Sequence, residues 1–290
     1  MRPLTRLAPA KVNLGLYVLR KRPDGFHDVE TGLYPIGWAD TLEARPAPAL
    51  SLTCSDPALP TDGGNLVVRA AEGLAEWAGI PPRAALHLVK SVPFGAGLGG
   101  GSSDAAATIH LLAELWGEAA PAPVLHALAA RLGSDVPFFL TGRPAMARGR
   151  GDVLSPLLAA DGGPYRCPFA LCIAVPAVHV ATGEAYGLVR PTAGERPDLA
   201  AAILSNDLDR WRREVTNDFE EPVAAAHPVI AEVRDILLRE GAGWASMSGS
   251  GSAVVGAFEA ATTARLAADM LTARGCRTWV ERPAAGRPPG

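Results

Sequence analysis

The fold class read from the chain is α+β, arranged as two domains. Three observations carry that reading. Stretches of period-2 alternation interleave with apolar stripes at helical spacing along the whole length. The 290 residues exceed the roughly 100–200 typical of one domain. Between them, Arg148-Gly149-Arg150-Gly151 and Asp161-Gly162-Gly163-Pro164 form a turn-rich zone suited to a boundary. The expected division is an N-terminal domain over 1–160, a C-terminal domain over 161–282, and a frayed tail over 283–290.

Each element follows from local pattern. From Lys11 to Leu19, Val12, Leu14, Leu16 and Val18 alternate with Asn13, Gly15 and Tyr17, as in a half-buried strand. Arg22-Pro23-Asp24-Gly25 is a turn, and Phe26–Ile36 the returning strand. Strands follow at Thr41–Arg45, Leu50–Thr53 and Leu86–Lys90. Before the last of these, Asn65 can cap a helix whose Leu66, Ala70, Leu74 and Trp77 share a face. A helix is expected at Ala105–Trp116, and another through Leu125, Leu128 and Leu132, stopped by Gly133. Phe169–Val175 reads as a fully buried strand. Helices near Thr182–Leu188, Leu199–Leu204 and Ile230–Glu240 precede strands Trp244–Met247 and Ala253–Phe258; a helix at Thr262–Ala273 and a strand at Arg277–Glu281 complete the second half.

Composition narrows the function. With 48% hydrophobic and 20% charged residues the chain is an ordinary globular one, and disorder is excluded as its default state. Twenty-seven Lys and Arg against 30 Asp and Glu give a net charge of −3, which provides no global field for nucleic acid. Cys54, Cys167, Cys172 and Cys276 have neither C-x-x-C spacing nor a histidine partner, so free thiols in a reducing cytoplasm are expected. The longest strongly apolar run, Phe169–Gly183, is too short for a bilayer span of ~20 residues. The expectation is a cytoplasmic protein with no membrane partner, a monomer or weak homodimer.

The strongest local signal is Pro93-Phe94-Gly95-Ala96-Gly97-Leu98-Gly99-Gly100-Gly101-Ser102-Ser103-Asp104 ahead of an apolar helix. Glycines allow close backbone approach, and a helix start directs unpaired N–H groups and its positive dipole end at the loop. Together these make a cradle for phosphate. The segment is neither a P-loop, lacking a closing Gly-Lys-Ser/Thr, nor a dinucleotide fingerprint. Ser102 and Ser103 can cap the helix or ligate a phosphate-bound Mg²⁺. A second loop, Met247-Ser248-Gly249-Ser250-Gly251-Ser252, is either a plain hairpin tip or a second phosphate contact. Taken singly, Lys11 reads as an edge-strand lysine and Asp135 as a turn or cap residue.

Together these segments resemble the GHMP kinase superfamily. Ala8-Pro9-Ala10-Lys11-Val12-Asn13-Leu14, the phosphate loop and the late Ser/Gly loop match its three motifs. Arg22-Pro23-Asp24-Gly25-Phe26-His27 and Gly133-Ser134-Asp135-Val136-Pro137 point within it to the branch that acts on a cytidylated methylerythritol. Homoserine or mevalonate kinases of the same superfamily, or a catalytically silent nucleotide-binding protein, are the competing readings.

The resemblance implies an N-terminal domain like ribosomal protein S5 domain 2, a ferredoxin-like C-terminal domain, and an active site in the cleft between them. It implies phosphoryl transfer from ATP, with Mg²⁺, to a tertiary 2-hydroxyl. Lys11 and Asp135 match the catalytic residues. Pro93, Phe94, Gly95, Ala96, Gly97, Leu98, Gly99, Gly100, Gly101, Ser102 and Ser103 match the ATP loop. Asn13, Phe26, His27, Thr182 and Tyr186 fall on the substrate side, with Phe26 and Tyr186 expected to sandwich the cytosine ring. Phe26 stands where tyrosine is more usual in that branch, which keeps a stacking face and loses a hydroxyl.

Overall fold

The computed structural model describes residues 3–191 and 195–283; of the expected tail, 284–290 lies outside the described residues. Two compact units emerge, each discontinuous in sequence. The first takes the residues up to Ala10, Ile36–Phe94 and Gly99–Gly142; the second takes Lys11–Pro35, Gly95–Leu98 and the chain from Arg143 onward.

Strands β1 (Leu4–Lys21) and β2 (His27–Arg45) form a hairpin closed where Arg22 N donates to Phe26 O at 2.8 Å. Both strands are longer than their sequence pattern announces. Two strands, Phe26–Ile36 and Thr41–Arg45, are expected where β2 is one, although it carries Pro35 within it. The proline is tolerated because it falls between two ladders: Val29–Leu33 pair with one strand, Thr41–Arg45 with another.

In the first unit, β3 (Ser51–Cys54) lies parallel to β4 (Ala85–Val89), which pairs antiparallel with the end of β2. Asn65 caps α1 (Leu66–Ala78) as expected, its Oδ1 accepting from Val67 N at 2.9 Å. Val67, Ala70 and Leu74 are buried on its inner face, but Trp77 in the last turn is 40% exposed. Helix α2 (Gly100–Trp116) packs on α1 and on the short α4 (Val136–Thr141), with α3 (Ala122–Leu132) beside them. Leu42, Leu74, Leu88, Ile109, Leu112 and Phe138 are buried in this unit, each such side chain contributing about 1.5–3 kcal/mol.

In the second unit the start of β2 pairs with β5 (Ala145–Gly149), and β5 with β6 (Val153–Pro156). A separate antiparallel sheet begins at β7 (Ala170–Val175), buried along its whole length. Four short helices follow: α5 (Thr182–Leu188), α6 (Leu199–Leu204), α7 (Leu208–Glu214) and α8 (Glu220–Ala226). Then come α9 (Pro228–Arg239), β8 (Trp244–Met247), β9 (Val254–Phe258), α10 (Ala261–Ala273) and β10 (Arg277–Glu281). The sheet order β10-β7-β9-β8 places the fourth strand beside the first and the third between first and second. That is the ferredoxin-like arrangement the resemblance implied.

All four cysteines are free thiols. Burial pushes the Cys172 thiol up to about 12 and the Cys167 thiol up to about 11.

Candidate active site

Lys11 is only 3% exposed, so its ammonium must be satisfied by protein oxygens. It donates to Asn13 Oδ1 at 2.5 Å and to Gly97 O at 3.0 Å. The pairing follows from strand geometry: residues two apart on β1 share a face. Asn13 is buried too. Its Nδ2 donates to Thr31 Oγ1 at 2.8 Å, and its backbone N–H donates to Ser248 Oγ at 3.0 Å. The single Ser248 hydroxyl proton has two acceptors within reach, Gly97 O at 3.1 Å and Asn13 Oδ1 at 3.3 Å. Three segments distant in sequence, the N-terminal strand, the middle of the phosphate loop and the late loop, thus meet in one buried polar network of the second unit.

Gly97 explains why the network demands a glycine. Its φ is +78°, and a Cβ there would stand 2.1 Å from the Ser248 carbonyl oxygen. The close approach expected between this glycine and a phosphate is first of all an approach between two loops.

The late loop is more than a hairpin tip. Asn217 Nδ2 donates to Met247 O at 2.7 Å and Gly249 O at 2.8 Å, while its Oδ1 accepts from Phe219 N at 2.9 Å. Glu220 Oε2 accepts from Ser246 Oγ at 2.8 Å and Met247 N at 2.6 Å. Sequence reasoning missed both residues. The polar Thr216-Asn217-Asp218 interrupting an otherwise helical stretch is the signal that could have found them.

In the first unit, α2 begins at Gly100, five residues earlier than its apolar pattern predicts. Gly99 takes a left-handed φ of 70° and the first helical bond runs from Ser103 N to Gly99 O at 2.9 Å. The N–H groups of Gly100, Gly101 and Ser102 therefore have no partner within the helix, the arrangement that receives an anion. Ser103 Oγ donates to Pro9 O at 2.7 Å. Pro93 and Phe94 belong to this unit, Gly95, Ala96, Gly97 and Leu98 to the other. Asp135 is half-buried at the start of α4 and makes no side-chain capping bond to its own helix, contrary to the cap reading.

The substrate-side residues make their own contacts in the second unit. His27 stacks on Tyr186, with centroids 4.9 Å apart and planes inclined by 23°, and Tyr186 meets Phe219 edge-on at 4.8 Å. Phe26 is 55% exposed and carries the Arg150 guanidinium over its ring at 5.2 Å. Burial, with the charge of Lys21 adding to it, holds the His27 imidazole below the usual histidine range, so at neutral pH it is uncharged. Thr182 Oγ1 lies 3.3 Å from Ser250 Oγ, tying the head of α5 to the late loop.

Comparison with known proteins completes the picture. The GHMP kinases N terminal domain model matches residues 65–143, and the GHMP kinases C terminal model matches residues 199–275. The chain is 54% identical over 277 residues to a 4-diphosphocytidyl-2-C-methyl-D-erythritol kinase of Salinibacter ruber, covering 95% of this chain and 97% of that one. It is 46% identical to the protein of the same name from Chlorobium luteolum, over 90% of each. A crystal structure of 4-(cytidine 5'-diphospho)-2C-methyl-D-erythritol kinase superposes with a TM-score of 0.81 at 39% identity, covering 98% of this chain and 100% of that one.

Proposed function

The chain belongs to the 4-diphosphocytidyl-2-C-methyl-D-erythritol kinases of the GHMP kinase family, and on that premise we propose how its own residues carry out the transfer. The enzyme moves a phosphoryl group from ATP to the 2-hydroxyl of the cytidylated methylerythritol, a step of the methylerythritol phosphate route to isoprenoid precursors.

Phosphoryl transfer asks a protein mainly for positioning and charge stabilisation. A tertiary alcohol is a crowded nucleophile, and a carboxylate that takes its proton as the new P–O bond forms speeds its attack. Asp135 is assigned that role, and Lys11 stabilises charge on the transferring group. The observation that carries the reading is the buried network at Lys11: an ammonium held at fixed geometry by Asn13 and the phosphate-loop carbonyl of Gly97 is preorganised. The N–H groups of Gly100–Ser102 at the head of α2 hold nucleotide phosphates. Pro93, Phe94, Gly95, Ala96, Leu98, Gly99 and Ser103 shape the rest of that loop.

A Mg²⁺ ion bound with the nucleotide would supply charge neutralisation for the transfer. Ser102, at the open head of α2, is the hydroxyl that would hold such an ion, since the buried Ser103 hydroxyl is already donated to Pro9 O at 2.7 Å. On the substrate side, His27 reads the cytosine edge in its neutral form, Tyr186 and Phe26 offer stacking faces, and Asn13 and Thr182 contribute polar contacts. The proposal extends to a functional division into 1–160 and 161–282, to a monomer or weak homodimer, and to a cytoplasmic location. No helix among the described residues is long and apolar enough to cross a membrane.

The test is a coupled kinase assay with ATP and the cytidylated substrate, using homoserine and mevalonate as controls. Turnover confined to the cytidylated alcohol is expected; comparable turnover of a control would sink the assignment. Tyr186→Ala should raise KM for that substrate about 5- to 150-fold, the range of one lost base stack, with KM for ATP unchanged.

A further inference from the structure

The two ends of the phosphate loop are tied to one buried ion cluster that the transfer itself does not use. Asp40, on β2, is fully buried. Its Oδ1 accepts the backbone N–H groups of Ser91 at 2.5 Å and Val92 at 2.8 Å, the two residues before Pro93. Its Oδ2 accepts from Lys90 Nζ, and the same ammonium donates to Asp104 Oδ2 at 2.8 Å, in the second turn of α2. Lys90 and Asp104 side chains are 6% and 4% exposed. The loop therefore leaves from and returns to a single bridge, Asp40–Lys90–Asp104.

The cluster also lies directly under the loop. A Cβ on Gly100 would stand 3.5 Å from Lys90 Nζ and 3.6 Å from Asp40 Oδ2. We propose that Asp40, Lys90 and Asp104 are positioning residues that clamp the base of the nucleotide loop, so that the Lys90 bridge sets how well the Gly100–Ser102 N–H groups are aimed at ATP. The proposal rests on the reading of Pro93–Ser103 as the ATP loop.

Electrostatics fits that role. Burial drives the Asp104 carboxyl up to about 7, the Lys90 ammonium opposing and the Asp40 carboxylate adding to the rise. Burial pulls Lys90 down, but Asp104 and Asp40 outweigh it and hold the lysine above its ordinary range. Asp104 Oδ1 is buried without a hydrogen-bond partner, which further disfavours the ionised form. Near neutral pH the bridge carries a net charge well short of two free carboxylates, and so presents little repulsion to a polyphosphate lying above it.

The experiment titrates wild type, Asp104→Leu, Asp104→Asn and Lys90→Met with a non-hydrolysable ATP analogue. Thermal melts and both KM values are recorded in parallel. Asp104→Leu and Lys90→Met should weaken analogue binding about 10- to 100-fold, the scale of a misplaced site, with KM for the alcohol substrate unmoved. Asp104→Asn keeps an acceptor oxygen for Lys90 and should bind within about threefold of wild type, which a packing role alone would not separate from leucine. Analogue binding that is unchanged in folded Asp104→Leu or Lys90→Met overturns the clamp, and so does Asp104→Asn behaving like Asp104→Leu. If Asp104→Leu does not fold, Lys90→Met decides on the same criterion; if neither folds, the cluster is a folding element and the clamp is wrong. Failure of wild type to bind the analogue would remove the ATP-loop reading itself, and the clamp with it.

Discussion

The two glycine-rich loops, Pro93–Ser103 and Met247–Ser252, look alike as sequences yet are held in different ways. The first runs into a helix, and the N–H groups at its end have no partner within that helix. The second has its carbonyls and amides taken up by the buried Asn217 and the partly buried Glu220, side chains that come from outside the loop. Composition cannot tell the two apart, because glycine and serine permit both outcomes. What separates them is where each loop's backbone polar groups find partners: a loop satisfied from behind acts as a brace, and one left open at its front acts as a receptor.

That distinction can be broken most severely by chemistry that leaves both loops intact. Asp135→Asn should lower kcat by about 10²–10⁴, the usual contribution of a general base, with KM for ATP little changed. Steady-state kinetics checks this, and near-normal turnover would remove Asp135 from the mechanism. Next in size is the point where the loops touch. Gly97→Val forces a Cβ to within 2.1 Å of Ser248 O at a φ of +78°. Strain of about 1–3 kcal/mol, together with displacement of both loops, should reduce kcat/KM at least ~100-fold and lower the melting temperature. Wild-type kinetics in that variant would mean that the loops need not meet.

The brace is tested by Asn217→Ala, which strands two carbonyls and one N–H. The expected loss is about 1–3 kcal/mol of stability per buried group left unpaired, read as a fall in the urea midpoint, with kcat changed far less than by Asp135→Asn. A large loss of kcat at unchanged stability would make the late loop a second receptor and erase the contrast.

The smallest effect is a pH dependence. Asp104 titrates at about 7 in the folded chain against 3.8 unfolded, so between these values the native state binds the extra proton and stability declines as pH rises. The contribution is fully present below 3.8 and gone above about 7. Melts of wild type and Asp104→Asn should therefore diverge as pH rises from about 4 to about 7, wild type losing stability relative to the variant, and run parallel above that; parallel curves throughout would show that Asp104 does not titrate there.

Much of this site is legible in the sequence, and the reason is locality. The phosphate loop sits in a short run whose residue types speak for themselves, whereas Lys11, Asn13 and Asp135 are legible only through the motifs they share with the family. In the C-terminal half, periodicity showed most of the strands and helices, while their ferredoxin-like arrangement was legible only through the family resemblance. Asn217, Glu220 and the Lys90 bridge were not, because their meaning lies in partners many residues away: Asp40 meets Lys90 across 50 positions. The early start of α2 was hidden because Gly100 and Gly101 are poor helix formers held in place by the cluster beneath them. Helix α4 carries a proline in its first turn, and α7, Leu208–Glu214, has mostly charged residues and so shows no apolar stripe. The His27–Tyr186 stack was not legible either, because it joins residues 159 positions apart.

The thiols on and beside β7 have a practical consequence. A sulfhydryl held near 11 or 12 is almost never a thiolate at neutral pH, and only the thiolate attacks alkylating or disulfide reagents. Cys167 and Cys172 are thus chemically silent while the C-terminal sheet is closed, whereas Cys54 on the outer strand of the first unit is half-exposed. Mass-resolved labelling over time becomes a stopwatch native to the chain: modification at Cys54 reports ordinary solvent access, and modification at Cys172 counts how often the central strand opens.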